Sequence, residues 1–122
     1  LWALGLRYRL HSTSLVGKPD VVFKSRRFAV FVDGDYWHGR AILDDGVAAF
    51  RRTLRTRRRE WWIAKLRGNI RRDRIVNSEL RRNGWRVIRI WESNVLRDSA
   101  RVAHRVERAI ENRAERARRG KR

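Results

Sequence analysis

The segment PDVVFKSRRFAVFVDGDYWHGR, residues 19–40, reads as two strands joined by a tight turn and followed by a polar stretch. Residues 20–24 (DVVFK) and 27–33 (RFAVFVD) are runs of β-branched and aromatic residues separated by Ser25 and Arg26, the pattern of a hairpin. Phe28 to Val32 is apolar at every position. A strand exposed on one face alternates, so this one is predicted to be covered on both. Pro19, the only proline, has a fixed φ and makes a rigid entry to the first strand. Beyond Asp33 the chain carries Gly34, Gly39, Asp44, Asp45 and Gly46 with no sustained period. Residues 34–50 are therefore predicted to be a long loop, the kind of segment on which functional residues concentrate.

Working outward, residues 1–9 (LWALGLRYR) read as the end of a helix stopped near Gly5,. From Thr53 to Asn83 the apolar positions Trp62, Ile63, Leu66, Ile70, Ile75 and Leu80 recur at helical spacing, and Asn83-Gly84 closes the run,. Residues 85–91 (WRVIRIW) predict a third strand, and 97–118 predict a final amphipathic helix with Val102, Val106, Ala109 and Ile110 on one stripe,. The order is helix, strand, strand, long loop, helix, strand, helix. That predicts an α/β fold, a mixed sheet flanked by helices, as a single domain over residues 1–122 with a basic tail at 113–122.

Charge narrows the class. The 122 residues carry 32 Lys+Arg against 13 Asp+Glu, a net +19, yet 42% are hydrophobic and six are Trp. This is a basic protein with a core and not a disordered polycation. Only Lys18, Lys24, Lys65 and Lys121 are lysines, so 28 of the basic residues are arginine, whose planar fork suits phosphate oxygens. A nucleic acid is the expected partner. The absence of Cys excludes a disulfide scaffold, a thiolate zinc site and a cysteine nucleophile, and fits a reducing, cytoplasmic setting. No run approaches 18 apolar residues, so neither a membrane span nor a membrane partner is expected; nothing at the N-terminus reads as a signal peptide.

Asp20, Asp33, Asp35, Asp44 and Asp45 fall within 26 residues of this cationic chain. Carboxylates repel a phosphate ligand unless a cation intervenes, and a hard divalent ion such as Mg²⁺ resolves that conflict. Asp20 begins one strand, and Asp33 ends the next near His38, so the two strand ends can meet. Each residue alone has a bland reading: Pro-Asp as a strand start, His38 as a packed or surface histidine, Asp33 as a turn carboxylate or a metal ligand, Asp44 and Asp45 as plain loop residues. Trp61 and Trp62 are adjacent and cannot both face inward from one helix; Trp85 and Trp91 are expected in strand packing. The arginines at 51, 52, 55, 57, 58 and 59 have no acid among them and read as phosphate contacts.

GKPDVVF at 17–23, FVDGDYWHGR at 31–40, WWIAKLRGNIRRDR at 61–74 and GWRVIRIWE at 84–92 together resemble the very short patch repair (Vsr) endonucleases, which nick DNA beside T:G mismatches. The wider class is similar to the restriction-endonuclease-like nucleases. The resemblance implies that Asp20 is a metal-binding aspartate and that the backbone carbonyl at Val32 contributes to the same metal. It implies that His38 is catalytic, that Asp73, spaced from Asn69 as in the family, orients it, and that Tyr36, Trp37 and Trp62 wedge into the duplex. Lys65 and Asn69, from the same matching run, join Arg51, Arg52, Arg55, Arg57, Arg58 and Arg59 in the expected DNA-binding set. The implied cofactor is Mg²⁺, and mismatch-repair proteins are implied partners; the oligomeric state stays open.

Three departures from the family stand out. Its structural zinc site, built from Cys and His, would fall on Asp35, Arg40, Ile42 and Ser93, so no such zinc site is expected. Asp33 replaces a histidine of many members, and an N-terminal family segment bearing a glutamate would precede Leu1. Two other functions stay open on the sequence: a restriction or defence nuclease of the same fold with a different DNA target, and a catalytically silent basic DNA-binding module.

Overall fold

The computed structural model describes residues 8–11 and 14–120, with side chains to residue 112. The expected helix over 1–9 therefore lies almost wholly outside the described residues, and its described end differs: Arg9–Leu10 is a short strand, β1. The hairpin follows as β2 (Val21–Phe23) and β3 (Phe28–Asp33). Between them Lys24–Arg26 make one 3₁₀ turn, and Arg27 takes a left-handed conformation with φ 55°. Residues 34–50, expected as loop, instead contain two short helices, α1 (Arg40–Asp45) and α2 (Val47–Thr53). The long helix α3 spans Arg59–Arg82, β4 spans Arg86–Trp91, and a short helix α4 (Glu92–Arg97) precedes α5 (Ser99–Gly120). The basic side chains from Arg113 onward lie outside the described ones.

The sheet order is β1-β2-β3-β4, with β1–β2 and β2–β3 antiparallel and β3–β4 parallel. This is the mixed sheet flanked by helices that the sequence predicts. The parallel pair needs a crossover, which α1, α2 and α3 supply. Its register sets Asp33 beside Trp91 and Phe31 beside Arg89, so the two C-terminal strand ends lie together.

The unbroken apolar run of β3 is explained by cover on both faces. Phe28 and Val30 pack with Phe23, Ile90, Val106 and Ile110, on the side of α5. Ala29 and Phe31 pack with Leu80 and Val87, on the side of α3. Fully burying a side chain such as Phe28 contributes about 1.5–3 kcal/mol. A third cluster of Ile42, Phe50, Ile63, Leu66 and Ile70 fastens α1 and α2 to the first half of α3.

α3 ends as its sequence implies. Gly84 sits at φ 85°, and the N–H groups of Trp85 and Gly84 donate to Leu80 O and Arg81 O at 3.0 and 3.1 Å. That is a Schellman cap, and Trp85 packs in the same cluster as Leu80. The cap turns the chain directly into β4. Among the described residues no helix is long and apolar enough to cross a membrane.

Candidate active site

The site is assembled where β3 runs into a tight turn and that turn meets α3. Within it, His38 N–H donates to Gly34 O at 3.1 Å, Gly39 N–H to Tyr36 O at 3.0 Å and Arg40 N–H to Asp35 O at 3.0 Å. Gly39 is left-handed, φ 71°, and a Cβ there would lie 2.6 Å from Ile70 Cδ1 and 2.9 Å from its Cγ1. Only glycine lets the turn approach α3 this closely. Gly39→Ala is expected to destabilise the protein by about 2 kcal/mol, from left-handed strain and overpacking together. Urea unfolding checks this, and a loss under about 0.5 kcal/mol would mean that the turn relaxes without penalty.

On α3, Asn69 and Asp73 are one helical turn apart and share a face. Asn69 Nδ2 donates to Trp37 O at 2.8 Å, and Arg72 hydrogen-bonds Asn69 Oδ1. Asp73 Oδ2 lies 2.7 Å from His38 Nδ1. An ionised carboxylate only accepts, so Nδ1 donates in this contact, and in the neutral imidazole Nε2 then carries the lone pair.

Asp33, at the end of β3, is buried with 4% exposure, the one charged side chain buried among the described residues. Its Oδ1 is 3.7 Å from His38 Nδ1, and both its oxygens accept from Arg89 at 3.0 and 3.2 Å. Arg89 also lies 3.5 Å from Asp73, donates to Asn77 Oδ1 at 2.7 Å, and rests 4.1 Å over the Phe31 ring. Burial pushes the Asp33 carboxyl above its ordinary range, against the pull of Arg89 and His38. Asp33, His38, Asp73 and Arg89 line a cleft of about 240 Å³ with Ile70 and Trp91. Small-molecule sites run to about 300–1,000 Å³, so the cleft suits a group the size of a phosphate better than a whole nucleotide.

Asp20 stands one strand away. Its N–H donates to Val30 O at 3.0 Å, its carbonyl accepts from His11 N–H at 2.8 Å, and its Oδ2 accepts from Val32 N–H at 2.7 Å. The carboxylate is thus pinned to the peptide of Val32, immediately before Asp33. Oxygen donors of this kind suit a hard divalent cation. The ligand atoms of Asp33, His38 and Asp73 also lie within 4.8 Å of one another. The Arg89 guanidinium already lies against both carboxylates of that trio and offsets part of their charge, whereas the Asp20 carboxylate makes no ion pair among the described residues.

The aromatic residues form an edge beside the histidine. Tyr36, Trp37 and Trp62 lie with ring centroids 5.7–5.8 Å apart, and Trp61 stands 4.9 Å from Trp62, edge to face. Tyr36, Trp37 and Trp61 are 45%, 53% and 47% exposed, a contiguous exposed aromatic surface of the kind that marks an interaction site. Trp61 was not in the expected DNA-binding set, although its adjacency to Trp62 already implied that at least one of the two is exposed. Of the arginines in that set, Arg51 pairs with Glu60 at 2.8 Å, Arg58 covers the Trp61 ring at 4.3 Å, and Arg59 donates to Leu54 O. Arg52, Arg55 and Arg57 are exposed with no ion pair among the described residues, and Lys65 is exposed on α3.

Asp35, Arg40 and Ser93, three of the four positions on which the family's zinc ligands would fall, meet through hydrogen bonds, while Ile42 packs in the core. The Ser93 hydroxyl, with help from Arg40, lowers the Asp35 carboxyl to about 2. Sequence reasoning missed this cluster and Arg89, whose only sign was a charge inside an apolar strand.

A family model described as DNA mismatch endonuclease Vsr matches residues 1–43. The type II nicking enzyme V.NmeDIP of Neisseria meningitidis serogroup C is 44% identical over 110 residues, 90% of this chain and 70% of that enzyme. V.HpaIIP of Haemophilus parainfluenzae, also a type II nicking enzyme, is 38% identical over 110 residues, 90% of this chain and 74% of its own. The DNA mismatch endonuclease Vsr of Escherichia coli (strain K12) is 36% identical over 88 residues, 72% of this chain and 52% of its own.

Proposed function

This chain belongs to the Vsr family of DNA-nicking endonucleases, and from that premise we propose that it hydrolyses one phosphodiester bond beside a T:G mismatch in duplex DNA, with Mg²⁺ held at Asp20. The observation that carries the reading is the aromatic-histidine turn fastened to α3 through Asn69 and Asp73, which sets a hydrogen-bonded His38 beside an exposed aromatic edge.

The chain's own residues divide the work. Asp73 holds the His38 ring in the Nδ1–H form, so Nε2 can take a proton from a water near the scissile phosphate or pass one to it. The Asp20 carboxylate and the Val32 carbonyl would hold the cation, which when bound neutralises phosphate charge and lowers the pKa of a coordinated water. Tyr36 and Trp37, joined by Trp62, press into the base stack. Unstacking a step costs about a few kcal/mol and least where pairing is poor, which favours a mismatch. Arg52, Arg55, Arg57 and Lys65 supply phosphate contacts that position the duplex. In a repair role the partners are duplex DNA and, after the nick, mismatch-repair proteins.

The test uses end-labelled duplexes, one with a central T:G pair and one fully matched, incubated with Mg²⁺ or with EDTA and resolved on a denaturing gel. The expected result is a single-strand cut in the T:G duplex alone, lost in EDTA. Equal cutting of both duplexes would move the target to undamaged DNA, as in a restriction or defence nuclease. Binding without cutting in any metal would leave a DNA-binding module. Thermal unfolding without DNA should be unchanged by EDTA, because Asp35, Arg40 and Ser93 hydrogen-bond one another and a guanidinium offers no lone pair to a metal.

A further inference from the structure

The turn carrying His38 is fastened on two sides, and only the α3 side enters the chemistry described above. On the other side Asp35 and Arg40 bracket Tyr36, Trp37, His38 and Gly39, and both reach Ser93 in the first turn of α4. Asp35 Oδ1 accepts from the Ser93 N–H at 3.0 Å, and its Oδ2 lies 2.6 Å from Ser93 Oγ. Arg40 NH1 donates to Asp35 Oδ2 at 2.8 Å and to Ser93 Oγ at 2.9 Å. Its guanidinium stands 5.5 Å from the Trp91 ring, and Trp91 pairs in register with Asp33. The two ends of the histidine turn are thus tied to one point, the start of α4.

We propose that Asp35, Arg40 and Ser93 are positioning residues for the nicking reaction, a clip that sets His38 and the Tyr36–Trp37 edge by closing their turn onto α4. The proposal rests on the nuclease reading above. Asp35 and Arg40 are each about a third exposed, and pairs so placed add little to global stability. A misplacement of about 1 Å in a catalytic group can lower a rate by about 100-fold. The clip's effect is therefore concentrated in the rate, with little of it in unfolding.

Three variants test it: Asp35→Ala, Ser93→Ala and the conservative Ser93→Thr, which keeps the hydroxyl and the N–H. Each is measured for single-turnover nicking of the T:G duplex, for DNA affinity, and, without DNA, for the His38 ring ¹⁵N–¹H correlations. Asp35→Ala is expected to slow nicking by about 10- to 100-fold while affinity changes by less than about threefold, a loss confined to the chemical step. The His38 ring signals should shift or broaden in Asp35→Ala and Ser93→Ala and return to the native positions in Ser93→Thr. An unchanged rate, a loss carried wholly by affinity, or an unmoved His38 spectrum overturns the proposal. Should the native protein nick nothing, the nuclease reading fails, and the His38 spectrum alone still decides whether the clip sets the turn.

Discussion

Arg89→Met should lower the stability of the folded protein by about 3–5 kcal/mol at neutral pH, the usual loss when one partner of a buried ion pair is removed. For a chain of this size that is roughly 10–20 °C in melting temperature. Arg89 is the main cation for a carboxylate that is 4% exposed, and it also faces Asp73. Methionine fills much of the same volume over Phe31 but leaves Asp33 charged, with only His38, at 3.7 Å, to answer it. The deficit should depend on pH with a definite sign. Burial already raises the Asp33 pKa above the ordinary 3.8, and losing Arg89 raises it further. A raised native pKa means that the folded state binds more protons than the unfolded state between the two values, so this term favours folding as pH falls and opposes it as pH rises. Urea titrations near pH 7.5 and pH 5 should therefore show a smaller deficit at the lower pH. Adding Asp33→Asn to Arg89→Met should recover part of the loss, because the pair is then neutral on both sides. A deficit independent of pH, or one below about 1 kcal/mol, would mean that Asp33 does not depend on Arg89.

The same residue shows where sequence reasoning stops. The strands at 20–24, 27–33 and 85–91 and the helices at 53–83 and 97–118 were legible because each carries a long apolar pattern that its fold position explains. β3 is apolar throughout since Phe28 and Val30 face α5 while Ala29 and Phe31 face α3. Arg89 breaks such a pattern and reads as a solvent-facing charge. Its partner Asp33 is 56 residues away and is brought near only by the parallel pairing of β3 with β4. Residues 34–50 misled for a different reason. α1 and α2 have six and seven residues, less than two helical turns apiece, too short to display a period. They are bounded by Gly39 and Gly46, both at positive φ, which on sequence grounds signal loop. What makes them helical is burial of Ile42 and Phe50 against Ile63, Leu66 and Ile70, a tertiary effect that no local window contains. The pairing of His38 with Asp73 came from a resemblance of motifs and not from spacing, since 35 residues separate them.

Asp20→Asn is expected to abolish nicking while leaving DNA affinity equal or tighter. Asparagine keeps an oxygen that can accept the Val32 N–H now bonded to Asp20 Oδ2 at 2.7 Å, so the strand entry should hold its shape. What disappears is the charge that attracts a divalent cation. In a protein of net +19, removing one carboxylate near the phosphate path weakens repulsion of DNA, and non-specific affinity should rise slightly and keep its steep salt dependence. His38→Ala should behave differently. It leaves Asp20 and the Val32 carbonyl intact, and Asp73 retains Arg89 at 3.5 Å, so the variant loses only proton transfer, a fall of about 10²–10⁴ in rate. A titration of Mg²⁺ against residual nicking separates the two: His38→Ala should saturate at the native metal concentration, and Asp20→Asn should show no metal-dependent cutting. Nicking by Asp20→Asn within about tenfold of the native rate would remove the cation from Asp20. The metal would then belong to Asp33, His38 and Asp73, and Arg89 would have to leave that cluster before a cation could enter it.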